Sequence, residues 1–349
     1  MRHALTRILA ATLPVAALGA QTEHRTISGD RVAVYNLAGT LRLQAGTGSQ
    51  VSVDITRHGK DAGQLKIASG DVRGFNALRV VYSGDRIVYP EMRSRGRTQL
   101  RVNADGTFDD NEGGWFNRRD QVEITADGAG LEAWADIVVS VPRGQRIAVH
   151  WGVGQATVSN VDGDVRVSVA AASVTAEHTR GRLNLDTGSG SVSVTDAQGD
   201  VTLDTGSGGL SLDGVHGESL LMDTGSGSIK GANVDVRTLK ADVGSGGLRL
   251  DHVKARQVTV DAGSGGVELQ FDSTVDDIKA ESGSGGVTLR VPPAQTGDVD
   301  IETGSGGIST DFPISTTHVQ RNHVTGRIGD GSARIRIEAG SGTVQLLKN

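Results

Sequence analysis

The stretch Leu203-Asp204-Thr205-Gly206-Ser207-Gly208-Gly209-Leu210 decides the fold, because it places a Gly-Ser-Gly turn between two apolar segments. The steps between successive turns of this kind are 18, 19, 19, 19, 20, 21 and 36 residues. We interpret the last step as two turns with the middle one rewritten. A fixed period of about 19 residues is typical of a solenoid. The first glycines of the turns are Gly188, Gly206, Gly225, Gly244, Gly263, Gly283, Gly304 and Gly340.

Apolar residues keep a fixed position relative to each turn. Val201 and Leu203 precede the turn at Gly206, Leu210 and Leu212 follow it, and polar residues such as Thr202 lie between them. Alternation with a period of two predicts short strands with one buried face, and the pattern lacks the spacing of a helix.

Stacked repeats of this kind predict an all-β fold, a right-handed parallel β-helix, or β-solenoid, with coils of about 18–20 residues and Gly-Ser-Gly corners. One repeat cannot bury its inner face alone, whereas stacked repeats share a continuous aliphatic column. The chirality of crossover connections favours the right hand. We expect the corner glycines to supply positive φ angles without a Cβ penalty.

The chain divides into three parts. Residues 1–20 are predicted to be a secretory signal peptide, because Arg2, His3 and Arg7 precede the apolar stretch Ile8–Leu18 and small residues follow. A membrane anchor is the alternative, but the apolar run is too short to span the bilayer comfortably. No later stretch is typical of a transmembrane segment, so the mature chain is expected to have none.

Residues 21–150 are predicted to form irregular N-terminal β coils, and 151–349 a regular β-helix continuous with them. The segment Ala45-Gly46-Thr47-Gly48-Ser49, followed by Val51 and Val53, is typical of an early coil. The pattern fails between Pro90 and Asp120, so we interpret 91–120 as an excursion from the coils, such as a long hairpin.

Composition excludes several classes of protein. The 349 residues include 50 glycines and no cysteine, which excludes a disulfide framework, a Cys-based zinc site, an iron–sulfur protein and a Cys nucleophile. Residues 151–349 hold 16 Lys and Arg against 25 Asp and Glu, which disfavours nucleic acid as a partner. No dinucleotide fingerprint, phosphate loop, nucleophile elbow or His-x-x-x-His pair is present, so no cofactor, metal site or catalytic residue is predicted.

The turn Val141-Pro142-Arg143-Gly144, the corner at Gly206 and the closing Ala339-Gly340-Ser341-Gly342 together resemble the bacterial putative-adhesin family of β-strand-repeat proteins. The similarity covers most of residues 30–349. This resemblance implies a right-handed β-helix and export to the periplasm, cell surface or medium of a bacterium. It also implies adhesion or surface binding, and it offers no catalytic residues to carry over.

An acidic residue lies two positions before each corner glycine. One interpretation is a divalent-cation column or a stripe for a basic ligand; the other is that each acid bonds turn amides in an Asx-type turn while facing solvent. A calcium β-roll is a further alternative, but its acids follow the glycines instead of preceding them. The column consists of Asp186, Asp204, Asp223, Asp242, Asp261, Glu281, Glu302 and Glu338.

The excursion 91–120 carries the candidate ligand-binding residues Trp115, Phe116, Arg118 and Arg119. The aromatic pair could form a platform for a sugar ring or a partner protein, or fold down as a cap over the solenoid. The sequence therefore predicts a non-catalytic, adhesin-like binding or structural module whose partners are cell-surface glycans or envelope proteins. The alternative is a polysaccharide lyase or hydrolase that uses this excursion, with Asp109, Asp110 and Glu112 as candidate carboxylates.

Overall fold

The structure, a computed structural model, describes residues 22–92, 96–108 and 120–349. Besides a 3-10 helix at Ala62–Gln64, the regular structure of these ranges consists of β-strands. The strands are β1 (Thr22–Ile27), β2 (Arg31–Ala45), β3 (Val51–His58), β4 (Lys66–Val72), β5 (Phe75–Val81), β6 (Arg86–Val88), β7 (Arg97–Val102), β8 (Asp120–Thr125), β9 (Trp134–Val141), β10 (Gln145–Ser159), β11 (Asp162–Thr187), β12 (Val192–Gln198), β13 (Val201–Thr205), β14 (Leu210–Thr224), β15 (Ile229–Val243), β16 (Leu248–Ala262), β17 (Val267–Phe271), β18 (Asp277–Ser282), β19 (Val287–Val291), β20 (Gly297–Thr303), β21 (Ile308–Thr310), β22 (Ser315–Gln320), β23 (His323–Ile328), β24 (Arg334–Ala339) and β25 (Val344–Lys348).

Strands that lie one repeat apart in the sequence pair in parallel. Val201 of β13 faces Leu220 of β14, which faces Leu239 of β15, which faces Val258 of β16. The same in-register pairing joins β2 to β10 and β10 to β11. The all-β, solenoid-like fold predicted from the repeat is therefore confirmed. This stack of parallel coils is called the rod below.

The inner faces of the coils form one continuous apolar core. Leu203, Leu220, Leu239 and Val260 are each at most 2% exposed, and they belong to a single cluster that runs along the rod. Because one side of each strand is lined with aliphatic residues at every second position, stacking removes these side chains from water in every coil at once. Burial of this kind contributes roughly 25 cal/mol per Å² of apolar surface.

The corner glycines are required for a different reason from the one predicted. Gly206 and Gly208 do not have the positive φ expected of them. Instead, a Cβ on Gly208 would overlap the carbonyl oxygen of Gly190, which is the equivalent glycine one coil earlier. Glycine at this corner therefore allows successive backbones to approach closely.

The last coil lies out of chain order. The sequence suggested that the segment between Gly304 and Gly340 contains one further coil, but β22 and β23 within it form an antiparallel hairpin. The coil of β24 and β25 lies between the coil of β18 and β19 and the coil of β20 and β21. The periodicity gives each residue its place within a coil but does not give the order of the coils.

Antiparallel strands lie at both ends of the rod. At one end β2 pairs in parallel with β5 and β9, whose outer neighbours β4 and β3 run antiparallel, and β1 pairs antiparallel with β3. The early coil predicted around Gly46 is thus present, since β2 stacks in parallel on the rod just before this glycine. Val51 and Val53, however, belong to the antiparallel strand β3. At the other end β23 pairs antiparallel with β20. Covered edges limit strand pairing with other chains.

A second, smaller sheet lies against the flank of the rod. It consists of β6, β8 and β7, in which β8 pairs in parallel with β6 and antiparallel with β7. A separate apolar cluster fills the space beneath it, with Tyr35 and Leu37 from the rod and Tyr89, Phe108 and Ile124 from the other side. The described part of the excursion therefore packs onto the rod. This three-stranded sheet is called the flank sheet below.

Candidate functional site

Five of the eight glycine corners are attached to a neighbouring coil by a buried hydroxyl group. Thr205 Oγ1 accepts the N–H of Gly208 and donates to the carbonyl oxygen of Gly190, both at 3.0 Å. The turn amide is thus bonded by Thr205 and not by Asp204, the residue that the Asx-turn interpretation favoured. At four other corners the equivalent hydroxyl-bearing residue is also buried, and these residues are Thr187, Thr224, Ser282 and Thr303.

The predicted acidic residues face one another in a single column along the rod. In spatial order they are Asp186, Asp204, Asp223, Asp242, Asp261, Glu281, Glu338 and Glu302, each paired in register with the next. Partial burial and the neighbouring Asp204 carboxylate raise the pKa of Asp223 above its ordinary value of 3.8.

Among the described residues, no group of three or more His, Asp or Glu side chains is arranged to hold a metal ion. The ligand-binding and the structural interpretation of the acidic column both stay predictions.

A second polar column follows the next corner of the coils, and the sequence analysis missed it. Asn160, His178, Asp196, Asn233 and His252 all have φ between 52° and 57°, and Gly214 with φ 72° occupies the same corner. Asn, Asp and Gly are among the residues that tolerate this left-handed conformation best. Their recurrence at steps of 18 or 19 residues is the signal that would have identified the corner.

Two histidines of this corner also pair with a carboxylate in a neighbouring coil. His178 Nε2 lies 3.3 Å from Asp196 Oδ2 in the next coil, and His252 Nδ1 lies 3.2 Å from Asp272 Oδ2. Both pairs are largely exposed, and exposed ion pairs contribute only about 0–1 kcal/mol. The column is thus a polar surface set by backbone conformation.

The candidate ligand-binding residues Trp115, Phe116, Arg118 and Arg119 lie outside the described residues. The same holds for Asp109, Asp110 and Glu112, the carboxylates of the enzymatic alternative. The signal peptide predicted for residues 1–20 also lies outside them. The other two tryptophans are described: Trp151 is fully buried and donates to Gly39 O at 2.9 Å, and Trp134 is half-buried.

A cleft of about 410 Å³ opens where the flank sheet meets the first corners of the rod. Its floor carries Thr40, Gln155 and Ser173, which come from three adjacent coils and face one another in register. Parallel neighbours lie about 4.8 Å apart, so these three polar side chains form a short row about 10 Å long. The cleft therefore presents hydroxyl and amide groups at the spacing of the coils.

The wall of the cleft carries charge of both signs. Glu91 and Arg97 line it together with Tyr89, Met92 and Thr98. Arg97 Nη1 lies 3.1 Å from Glu123 Oε1, yet its side chain is 70% exposed. Burial is the main cause that raises the pKa of Tyr89 to about 12, so its hydroxyl stays protonated at neutral pH.

A polar and aromatic cluster fixes the base of this wall. Asp136 accepts the backbone N–H of Thr40 at 2.7 Å and lies 3.1 Å from His58 Nε2. The rings of His58 and Trp134 stack with centroids 5.7 Å apart, and Tyr89 meets Trp134 edge to face at 5.6 Å. These contacts connect the floor residue Thr40 to the wall residue Tyr89, so the cleft is a constructed feature of the fold.

The chemistry of the cleft suits hydrogen bonding to a neutral or zwitterionic polar ligand. Glycoside hydrolysis requires a pair of carboxylates on either side of the scissile bond. Of the described residues that line the cleft, Glu91 is the one carboxylate.

The fold and the row of corner residues define an all-β protein of stacked parallel coils. Residues 132–347 match the family described as Toastrack DUF4097, and this match covers more than half of the chain. The chain therefore belongs to the Toastrack DUF4097 family, which confirms the resemblance to a β-strand-repeat family found in the sequence.

Among solved structures, the chain is similar to a putative cell adhesion protein from Clostridium sporogenes, whose crystal structure was determined at 1.95 Å resolution. The two share 8% sequence identity with a TM-score of 0.20 over 95% of this chain and 100% of that chain. No curated protein matches the sequence. Within the described residues, no helix has the length and apolar character needed to cross a membrane.

Proposed function

We propose that this protein is an exported, non-catalytic binding module of the bacterial envelope that holds a polar polymer, such as a cell-surface glycan, in the cleft between the rod and the flank sheet. The observation that carries the proposal is the in-register row of Thr40, Gln155 and Ser173 beneath a wall that holds Arg97. Clefts lined by a few convergent polar groups are the usual ligand sites of proteins.

One further feature supports binding rather than catalysis, since the described lining of the cleft offers Glu91 without a second carboxylate. The right-handed winding of the coils is part of the same proposal, and it rests on the general preference of parallel crossovers. Export rests on the charged and apolar pattern of residues 1–20.

The sharpest test is a glycan array followed by affinity measurements on the best ligand. We expect Gln155→Ala and Arg97→Ala each to weaken binding about three- to tenfold, because one hydrogen bond contributes about 0.5–1.5 kcal/mol. Lys240→Ala is the matched control, since Lys240 is exposed on the rod and does not line the cleft.

The same samples should be assayed for release of reducing ends or unsaturated products. Binding without product formation supports the proposal. A wild-type protein that binds no glycan, or cleft variants that bind as well as the wild type, would contradict it. Turnover of a polysaccharide would instead favour the enzymatic alternative.

A further inference from the structure

The coil formed by β24 and β25 occupies a slot between two coils that precede it in the chain. Ile335 of β24 faces Ile278 of β18 on one side and Val299 of β20 on the other. Val344 of β25 likewise faces Val287 of β19 and Ile308 of β21. The segment 334–348, called the inserted coil below, is therefore a layer within the rod and not its end.

The inserted coil is bound tightly on both sides. Gly340 N donates to Ser282 O at 2.8 Å, and Gly304 N donates to Ala339 O at 2.9 Å. Its inward residues are almost fully buried, as is expected of a central coil, and they are Ile335, Ile337, Val344 and Leu346. If the inserted coil leaves the slot, all four of its inward side chains are exposed to water. Binding to any surface that buries them again is then favourable.

The two walls of the slot have the same register. Glu281 and Glu302 both face Glu338, so the neighbouring coils offer equivalent positions to whichever strand lies between them. The slot contains no contact that depends on which copy of the chain supplies the coil. An inserted coil from a second molecule would make the same hydrogen bonds and bury the same residues.

The connection to the inserted coil runs through the hairpin of β22 and β23. Every residue of β22 is exposed, whereas β23 pairs antiparallel with β20. The segment 329–333 between β23 and β24 is therefore the part that would direct the inserted coil to a second molecule while β23 stays paired. Exchange of an identical element through a connection of this kind is a low-cost route to a dimer.

We propose that the inserted coil is exchangeable between copies, so that segment 334–348 of one molecule fills the slot of a second molecule and links the two. This inference concerns the far part of the rod and does not rest on ligand binding in the cleft. For an envelope protein, such exchange would join binding modules without a disulfide, which the cysteine-free chain cannot form.

Cysteine cross-linking across the slot provides the test. Thr288 of β19 and Gln345 of β25 are paired neighbours, with Thr288 Oγ1 3.2 Å from Gln345 Oε1. Thr288→Cys and Gln345→Cys should be made as separate single-cysteine chains of different mass, refolded together at high protein concentration, and oxidised. We expect the mixed disulfide dimer to be the main cross-linked species.

A matched control uses a pair in the middle of the rod. Ser193 and Ser211 face each other on β12 and β14, and both coils lie in chain order. A mixture of the Ser193→Cys and Ser211→Cys chains should give no mixed dimer above background. Equal yields from the two mixtures would overturn the proposal, because the cross-link would then report random collision.

A second measurement starts from the chain without introduced cysteines. Heavy-isotope and ordinary wild-type chains should be refolded together and examined by native mass spectrometry. A dimer of mixed mass, lost when Ile335 and Ile337 are both changed to Asp, supports exchange. Monomer alone at every protein concentration, with the chain shown to be folded by circular dichroism, would overturn it.

Discussion

The hydroxyl of Thr205 accepts a hydrogen bond from the amide of Gly208 at 3.0 Å, three residues further along the same corner. The same hydroxyl donates to the carbonyl oxygen of Gly190 in the preceding coil. One buried side chain thus closes its own turn and attaches that turn to its neighbour. At three other corners the equivalent residues are Val243, Ala262 and Ala339, so these corners lack the hydroxyl.

The first prediction concerns this hydroxyl. Thr205→Val keeps nearly the same volume but leaves the Gly208 N–H and the Gly190 carbonyl without their partner. We expect it to lower the free energy of unfolding by about 1–3 kcal/mol, measured by calorimetry. Thr205→Ser is the control, because Ser282 accepts the N–H of Gly285 at 2.9 Å in an equivalent corner. Equal melting temperatures for the two variants would show that the hydroxyl does not hold the corner.

The second prediction separates two glycines of similar sequence context. A Cβ on Gly208 would overlap the carbonyl oxygen of Gly190, whereas a Cβ on Gly307 would meet nothing within 4 Å. Gly208→Ala should therefore destabilise the protein by about 1–3 kcal/mol through overpacking. Gly307→Ala should be neutral or stabilising by up to about 1 kcal/mol. If both variants unfold at the same denaturant concentration, close approach of the backbones is not the reason for glycine.

The repeat predicted the strands, their inward faces and the corner glycines, because a buried column demands the same residue type once per coil. It could not predict where the inserted coil lies. Ile335 and Ile337 have the same pattern as Val299 and Ile301, so either order of coils buries the same side chains. The order depends on the hairpin of β22 and β23, whose residues do not follow the repeat.

The left-handed corner was missed because its members share a backbone conformation and not a residue type. The third prediction tests that conformation at His178, where φ is 53°. His178→Val should cost about 1–2 kcal/mol, since a β-branched residue is strained in this region. His178→Asn is the matched control and should be tolerated, because Asn160 and Asn233 occupy the same corner with φ 57°. A stable Val variant would contradict the assignment.

The cleft could not be read from the sequence either. Its floor uses Thr40, Gln155 and Ser173, which are 115 and 18 residues apart and meet only because β2 stacks directly on β10. Its wall depends on how the flank sheet packs over Tyr35 and Phe108. Composition and motif spacing carry no information about such a meeting of distant surfaces.

The last prediction concerns the acidic column. Because burial and the charge of Asp204 raise the pKa of Asp223 above 3.8, the folded chain binds this proton more tightly than the unfolded chain. Stability therefore decreases as the pH rises from about 3.8 through the folded pKa, and the loss is complete above it. Asp223→Asn should flatten this part of the profile of melting temperature against pH.

Carboxyl NMR titration measures the same effect directly, and Asp204→Asn should move the pKa of Asp223 back towards 3.8 because a neighbouring negative charge is removed. Asp298 is the internal control, since its hydrogen bond from Arg327, with Nε 2.7 Å from Oδ1, lowers its pKa. Asp298 should therefore titrate below Asp223 in the same spectra. An Asp223 pKa that does not respond to Asp204→Asn would show that the carboxylates of the column do not interact.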